Sequence, residues 1–198
     1  MQLSAKGDHR TESLTYPIEK ILMSNRRLIN VSRDRQRQLS IQFEWLHSVH
    51  EKEKHEDVQV LSVSTFDHWL SHEDASRLLE NVPPEEQERR NKLLAAFCGK
   101  MVAGTEVLSF AMRGRRKDRC IFRAFKSSLT LTNYCRPNGG RLLGHRHFCV
   151  VLPELGCAFY ESWDDTYHFF FTTPEVEDAA RNWATQSKVY LLSHNSVS

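Results

Sequence analysis

The chain has 198 residues, of which 40% are hydrophobic and 26% are charged, and its formal net charge at pH 7 is +2. This composition is too apolar for a disordered chain, and a chain of this length can bury roughly 70% of the surface that its unfolded form exposes. The longest apolar runs fall far short of the roughly 20 residues that span a bilayer, so we expect no transmembrane helix and no membrane partner.

The cysteines and the first residues indicate an intracellular protein. The five cysteines are widely spaced and include no Cys-x-x-Cys pair, which favours reduced thiols in the core over a disulfide framework or a zinc ribbon. Charged side chains between Lys6 and Glu12 interrupt the chain before any apolar segment of signal-peptide length, so we expect no export. We therefore predict a cytoplasmic location.

The N-terminal segment differs in composition from the rest of the chain. Residues 1–24 mix polar groups with few apolar ones, and Tyr16-Pro17 should interrupt any helix there. We predict a flexible arm over residues 1–24 and a single domain over residues 25–198.

Helical periodicity marks the beginning of this domain. Ile41, Trp45 and Val49 recur at four-residue spacing, which predicts a helix from Leu39 to His50 that packs through this stripe. The alternation from Val58 to Thr65 then predicts a strand.

Two more helices are predicted before the basic part of the chain. Ser71 begins a capping box, and Pro83-Pro84 precede three glutamates that suit the first turn of a helix. The apolar positions of the second helix continue to Leu108, so we expect it to reach that residue, with Gly104 as a candidate break.

Beyond Arg119 the pattern changes to the alternation that is typical of strands. Ile121–Phe125 and Leu129–Leu131 predict a hairpin, Pro137–Gly140 predicts a turn, and a strand is predicted from Leu143 to Leu152.

The remaining elements complete an antiparallel arrangement. Two strands are predicted at Cys157–Ser162 and Thr166–Thr173, a helix begins at Thr173-Pro174-Glu175, and a short strand returns at Val189–Leu192. The predicted class is α+β, with N-terminal helices followed by a mostly antiparallel β-meander and a C-terminal helix packed on the sheet.

One predicted strand carries a candidate metal site. His145, His147 and Cys149 alternate along it, and Cys157 or His168 could complete a tetrahedral zinc set. Residues two apart on a strand are separated by roughly 6 to 7 Å, however, and converge poorly on one ion. The pattern favours partly exposed histidines and a core cysteine, and we expect no bound metal or other cofactor.

Charge is segregated along the second half of the chain. Residues 113–146 contain ten lysines or arginines and one acid, whereas residues 154–188 contain seven acids and two basic residues. The small overall charge favours arginines that pair with neighbouring acids over a nucleic-acid site.

The same segment also permits contact with nucleic acid. Phe122, Phe125 and Tyr134 are interleaved with its basic residues and could stack on bases while the cations contact phosphates. A second basic run, from Arg26 to Arg37, would extend this surface if it lay on the same side of the fold.

The turn Trp163-Asp164-Asp165 is a candidate recognition site. It lies close in sequence to Tyr160 and Tyr167, and aromatic residues are enriched at protein interfaces and among their hot spots. The equal alternative is a tight hairpin turn whose tryptophan folds over the sheet.

The sequence contains no motif of a known enzyme reaction. Phosphate-loop, dinucleotide-binding and Gly-x-Ser-x-Gly patterns do not occur, and His50, Glu51 and His55 miss the zinc-protease spacing by one residue. Cys–His and paired-carboxylate combinations are ones that any chain with 10 histidines and 25 acids would offer. The sequence therefore favours a protein without catalytic activity.

The leading hypothesis is a small cytoplasmic protein that binds a partner protein, of adaptor, inhibitor or toxin-neutralising type. The residues predicted to bind the partner are Arg113, Arg115, Arg116, Arg119, Tyr160, Trp163, Asp164 and Asp165. One alternative is a nucleic-acid-binding protein that uses residues 113–146, and another is a metal-dependent hydrolase built around His145, His147 and Cys149.

Overall fold

The computed structural model describes residues 26–50, 57–114 and 119–193. The predicted arm at residues 1–24 and the predicted contact residues Arg115 and Arg116 lie outside these ranges. The strands are β1 (Leu28–Asn30), β2 (Gln59–Ser64), β3 (Leu108–Arg113), β4 (Arg119–Phe125), β5 (Cys149–Leu152), β6 (Cys157–Glu161), β7 (Thr166–Phe171) and β8 (Tyr190–Ser193). The α-helices are α1 (Arg33–Gln42), α2 (Leu46–His50), α3 (His72–Leu79), α4 (Pro84–Gly104), α5 (Ser128–Tyr134) and α6 (Glu175–Ser187).

All eight strands join one antiparallel sheet in the order β1-β4-β3-β5-β6-β7-β2-β8. At the centre β5, β6 and β7 form a meander, and the β3–β4 hairpin joins it through the pairing of β3 with β5. At the edges, β1 pairs with β4 and β8 pairs with β2. The α+β class and the antiparallel meander are therefore confirmed. Within the described residues, no helix is both long and apolar enough to cross a membrane.

Helices cover both faces of the sheet because the strands alternate apolar side chains between the two sides. Phe159 and Phe169 pack with α4 and α6 on what we call the α4 face. Val151, Ala158 and Phe122 pack with α1 and α2 on the α1 face. In α6, Val176, Ala180 and Trp183 are buried, as expected for a C-terminal helix that packs on the sheet.

The helix predicted from Leu39 to His50 is wrong, because it is broken into α1 and α2. The backbone of Phe43 leaves the helical region after Gln42, and this break allows Phe43, Trp45 and Leu46 all to reach the α1 face. Ile41 instead points away, with 69% of its surface exposed.

The long helix α4 ends at Gly104, the candidate break, and Leu108 begins β3 instead of continuing the helix. A Cβ at Gly104 would lie 3.1 Å from the indole of Trp183, which packs closely at this point. The carboxylate of Glu154 then accepts hydrogen bonds from Thr105 Oγ1 at 2.7 Å and Glu106 N at 2.9 Å, which fixes the turn into β3.

The hairpin predicted across Ile121–Leu131 is wrong as well. The observed hairpin joins β3 and β4, and the next segment is helical because Ser127 accepts a hydrogen bond from Thr130 N at 3.1 Å and caps α5. Lys126-Ser127-Ser128 therefore begins a helix rather than turning between two strands.

The strand predicted from Leu143 to Leu152 is shorter than expected and begins only at Cys149. Before it, Gly139–Leu143 forms a 3-10 helix that lies close to neighbouring backbone. A Cβ at Gly140 would lie 2.5 Å from the carbonyl carbon of His147, so glycine is needed for this approach. The segment Gly139–Leu143 therefore packs against neighbouring backbone and does not extend the sheet.

Candidate recognition cleft at one end of the sheet

Three connecting segments lie at the same end of the sheet. In the β3–β4 hairpin, Arg113 pairs with Arg119. Cys149 at the start of β5 pairs with Tyr160 near the end of β6, which in turn pairs with His168 near the start of β7. β3 is antiparallel to β5, with Ser109 opposite Val150, so β3 runs toward the end of the sheet at which β5 starts. The hairpin arginines and the β6–β7 turn thus share what we call the sheet end.

The β6–β7 turn presents a tryptophan to solvent. Trp163 is 73% exposed, so it does not fold over the sheet. Ser162 N donates to Thr166 O at 3.0 Å, Asp164 accepts a hydrogen bond from the Thr166 hydroxyl, and Asp165 adopts a φ of 56°. The turn has a defined backbone conformation rather than an open loop.

A buried arginine fixes this turn to α4. Arg90 is 4% exposed, and its guanidinium contacts Asp165 Oδ2 at 3.2 Å, Glu86 Oε1 at 2.9 Å and Leu78 O at 2.9 Å. The ring of Phe66 covers it at 4.9 Å. Arg90 therefore has its charge and hydrogen-bond partners inside the protein. These partners lie in three separate segments, which are α3, α4 and the β6–β7 turn.

The carboxylate of Glu86 is held in its ionised form by two arginines. The hydrogen bonds from Arg89 and then from Arg90 lower the pKa of Glu86 to about 2, against a small opposing effect of burial. Glu86 therefore remains charged through mildly acidic conditions, and with it the ion pair that supports the turn.

Between α4, residues 137–147 and the β6–β7 turn lies a polar cleft of about 370 Å³, which we call the recognition cleft. Trp163 and Asp165 line it from the turn, and Arg141 and Arg146 line it from the opposite side. The guanidinium groups of these two arginines form no hydrogen bond or ion pair with another residue in the part of the chain that the structure describes. The hydroxyl of Tyr167, a residue that also lines the cleft, is buried and has no hydrogen-bond partner within the described chain. The cleft therefore offers more donors than the protein uses.

Glu161 closes the base of the cleft. Its carboxylate accepts hydrogen bonds from Asn138 N at 2.7 Å and from Phe148 N at 3.0 Å, and His147 Nδ1 lies 3.9 Å away. Burial raises the pKa of Glu161, while the two backbone hydrogen bonds and the nearby His147 and Arg141 lower it by smaller amounts. Glu161 attaches the loop before β5 to the end of β6 and so positions the basic side of the cleft.

The predicted contact residues are only partly brought together. Trp163 and Asp165 line the recognition cleft, and Asp164 lies in the same turn. Arg113 and Arg119 lie at the same sheet end, but they belong to the hairpin.

Tyr160 projects to the α1 face. There it packs against Phe110 at 5.8 Å and Phe170 at 5.2 Å between ring centroids. Its hydroxyl is buried without a hydrogen-bond partner in the described chain, and burial raises its pKa well above the usual value. It therefore does not share a surface with Trp163.

The structure adds Arg90, Arg141 and Arg146 to the residues expected from the sequence. Arg141 and Arg146 belong to the basic segment 113–146, and the sequence alone does not distinguish them from the other cations of that segment. Arg90 had a usable signal, since it stands four residues before Leu94 and seven before Phe97 on the buried stripe of α4. A charge on an apolar stripe indicates a buried partner.

The proposed alternation of His145, His147 and Cys149 on one strand is wrong, since only Cys149 belongs to β5. His145 Nδ1 lies 3.1 Å from the hydroxyl of Tyr134, and His147 lines the recognition cleft. Within the described ranges, no three His, Cys, Asp or Glu side chains are grouped so that they could hold a metal ion. Burial raises the pKa of Cys149 to about 11, which disfavours the thiolate that a ligand or nucleophile needs.

No family model, no curated protein and no solved structure matches this chain.

Proposed function

We propose that this chain is a cytoplasmic protein that binds a partner protein through the recognition cleft and has no catalytic activity of its own. One observation carries the proposal, namely that Trp163 is 73% exposed on a turn that the buried Arg90 holds in place. An adaptor, an inhibitor and a toxin-neutralising protein would all use such a surface.

Trp163 is exposed, whereas the arginine that holds its turn in place is buried. An exposed indole gains a large apolar area when a partner covers it, and tryptophan is enriched among the residues that dominate binding energy. A turn that is already ordered loses little conformational freedom on association. The buried contacts of Arg90 with Asp165 and Glu86 therefore favour binding even though Arg90 itself cannot touch the partner.

The charges around Trp163 favour a partner that presents carboxylates. Arg141 and Arg146 have no ion-pair partner within the described chain, and guanidinium groups bind carboxylates through paired hydrogen bonds. Arg113 and Arg119 extend the positive charge along the sheet end. We expect a partner with an apolar or aromatic side chain against Trp163 and acidic side chains beside it.

The experiment uses a photo-crosslinking residue, benzoylphenylalanine, introduced at Trp163 or at Leu129. Leu129 is a matched control because it is 70% exposed and follows the opposite end of β4. Cross-linking is carried out in lysate of the source cells with and without nuclease. We expect a discrete protein adduct from position 163 that survives nuclease and is absent from position 129.

The chemistry of the cleft is tested on the same adduct. Substitution of Arg141 and Arg146 by glutamine should reduce its yield severalfold, because the carboxylates of the partner lose their donors. No adduct at position 163, or the same adducts from both positions, would contradict the proposal.

A further inference from the structure

The two basic runs of the sequence meet at one edge of the sheet. β1 pairs with β4, so that Asn30 lies opposite Arg123 and Leu28 opposite Phe125. Lys126 N donates to Arg27 O at 2.9 Å and continues this pairing beyond the strand. Residues that are about a hundred positions apart in the chain therefore form one continuous surface.

This edge contains a groove of about 1090 Å³, which we call the basic groove. Its cationic lining residues are Arg26, Arg27, Arg123 and Lys126, and Leu142 and Leu143 form part of its wall. None of the described lining residues carries a carboxylate. The described wall of the groove thus carries basic side chains and no acidic ones.

Arg123 is the informative member of this group. Its side chain is partly buried, its Nε atom has no hydrogen-bond partner in the described chain, and no described carboxylate forms an ion pair with it. A partly buried cation of this kind is costly unless an anion or acceptor compensates it. An anionic ligand in the groove would supply what the described residues do not.

A hydrogen bond and an edge strand define the rim of the groove. The guanidinium of Arg27 donates a hydrogen bond to Leu142 O, which ties the 3-10 segment to β1. In the described sheet β1 is an edge strand, so the side of its backbone that faces away from β4 is not paired with another strand. The groove therefore combines side-chain cations with unpaired backbone.

We propose that the basic groove binds the phosphate backbone of a nucleic acid. Three arginines and a lysine supply the donors that phosphates prefer, and a cavity of this size is too large for a single phosphate ion. Phe122 and Tyr134 are fully buried, so these two rings do not stack on bases as the sequence suggested. Binding therefore follows the backbone and is independent of base sequence.

The test measures the fluorescence anisotropy of a labelled twenty-nucleotide oligo(dT) at several salt concentrations. Four phosphate contacts to a single strand release enough counterions to weaken binding about 50-fold between 50 and 200 mM salt. The double variant Arg26→Gln/Lys126→Gln should show only about a 7-fold loss over the same range, because two contacts remain. Both side chains are exposed, and the single variant Arg26→Gln gives an intermediate slope should the double variant fold poorly.

The matched control is Lys100→Gln/Arg181→Gln, which removes the same charge from the exposed surfaces of α4 and α6. It should retain the salt dependence of the unaltered chain. Equal losses in the two double variants would overturn the proposal, because general charge would then explain the binding. So would the absence of salt-dependent binding, or competition by polyglutamate that is as effective as competition by unlabelled oligonucleotide.

Discussion

The recognition cleft and the basic groove lie on the same sheet but differ in how one arginine at each of them, Arg90 and Arg123, is compensated. Beside the cleft, Asp165 and Glu86 neutralise the buried Arg90, and the turn exposes the indole of Trp163. In the groove, Arg123 has no ion-pair partner in the described chain and no aromatic residue lines the described wall. We therefore expect recognition at the cleft to combine the apolar contact of Trp163 with the charges of Arg141 and Arg146, and binding at the groove to depend on charge alone.

Binding at the two surfaces should respond differently to ionic strength. Contacts made by Trp163 depend on apolar area and change little with salt, while phosphate contacts weaken as counterions are released. A protein that carries both surfaces should keep its protein partner at salt concentrations that remove nucleic acid. The predictions below test the internal compensation on which this comparison rests.

The largest expected effect is the loss of Arg90. Arg90→Met leaves Asp165 and Glu86 without their shared cation and should lower the free energy of unfolding by about 3 kcal/mol, since the carboxylates stay partly desolvated without the charge that compensated them. Arg89→Met is the matched control, because Arg89 also pairs with Glu86 but is 57% exposed and should cost under about 1 kcal/mol. Equal shifts in denaturant unfolding curves would show that Arg90 does not support the turn.

The second effect concerns the base of the cleft. Glu161→Ala removes the acceptor from Asn138 N and from the part-buried Phe148 N, and we expect a loss of about 2 kcal/mol from these unsatisfied donors. Glu154→Ala also removes two hydrogen bonds, but its site is exposed and water can replace the carboxylate, so about 0.5 kcal/mol is expected. The urea unfolding midpoints of the two variants measure this difference. Similar losses of stability in both would contradict a buried structural role for Glu161.

The third effect is a dependence on acid. The folded-state pKa of Glu86 is lowered from its ordinary value of 4.5 to about 2, so its contribution to stability is fully present above about pH 4.5. It is lost progressively as the pH falls from there to about 2, because the unfolded chain binds the proton more tightly. Glu86→Gln should unfold more readily near neutral pH and lose less stability over this acidic interval. Parallel pH profiles for the two proteins would contradict the assignment.

The sequence predicts the regular part of this fold well, because alternation is a local property. The Leu61 and Val63 positions in β2, and the start of β6 at Cys157, follow directly from apolar residues in every second place. Short apolar segments are ambiguous without their neighbours. Leu129 and Leu131 alternate as in a strand, but Ser127 caps them into a helix.

The candidate site is less predictable than the fold, since it depends on contacts between distant segments. Trp163 and Asp165 were identified from turn composition, but their support by Arg90 joins residues 75 positions apart. The His145 and His147 alternation fails for a similar reason, because the backbone of His147 packs against Gly140 and the strand begins only at Cys149. Local patterns do not report such packing.

The smallest expected effect on stability is at Trp163, the residue proposed to contribute most to binding. Trp163→Ala should change the free energy of unfolding by less than about 0.5 kcal/mol, because 73% of the side chain is already in water and the turn is held by Asp165 and Arg90. Trp183→Ala is the matched control, since Trp183 is 8% exposed and packs against Phe97 at 6.2 Å, and its loss should cost about 3 to 5 kcal/mol. Thermal and urea unfolding of both variants separate the two roles of tryptophan. A loss at Trp163 comparable with that at Trp183 would mean that the indole stabilises the fold, and its exposure would then no longer argue for a binding partner.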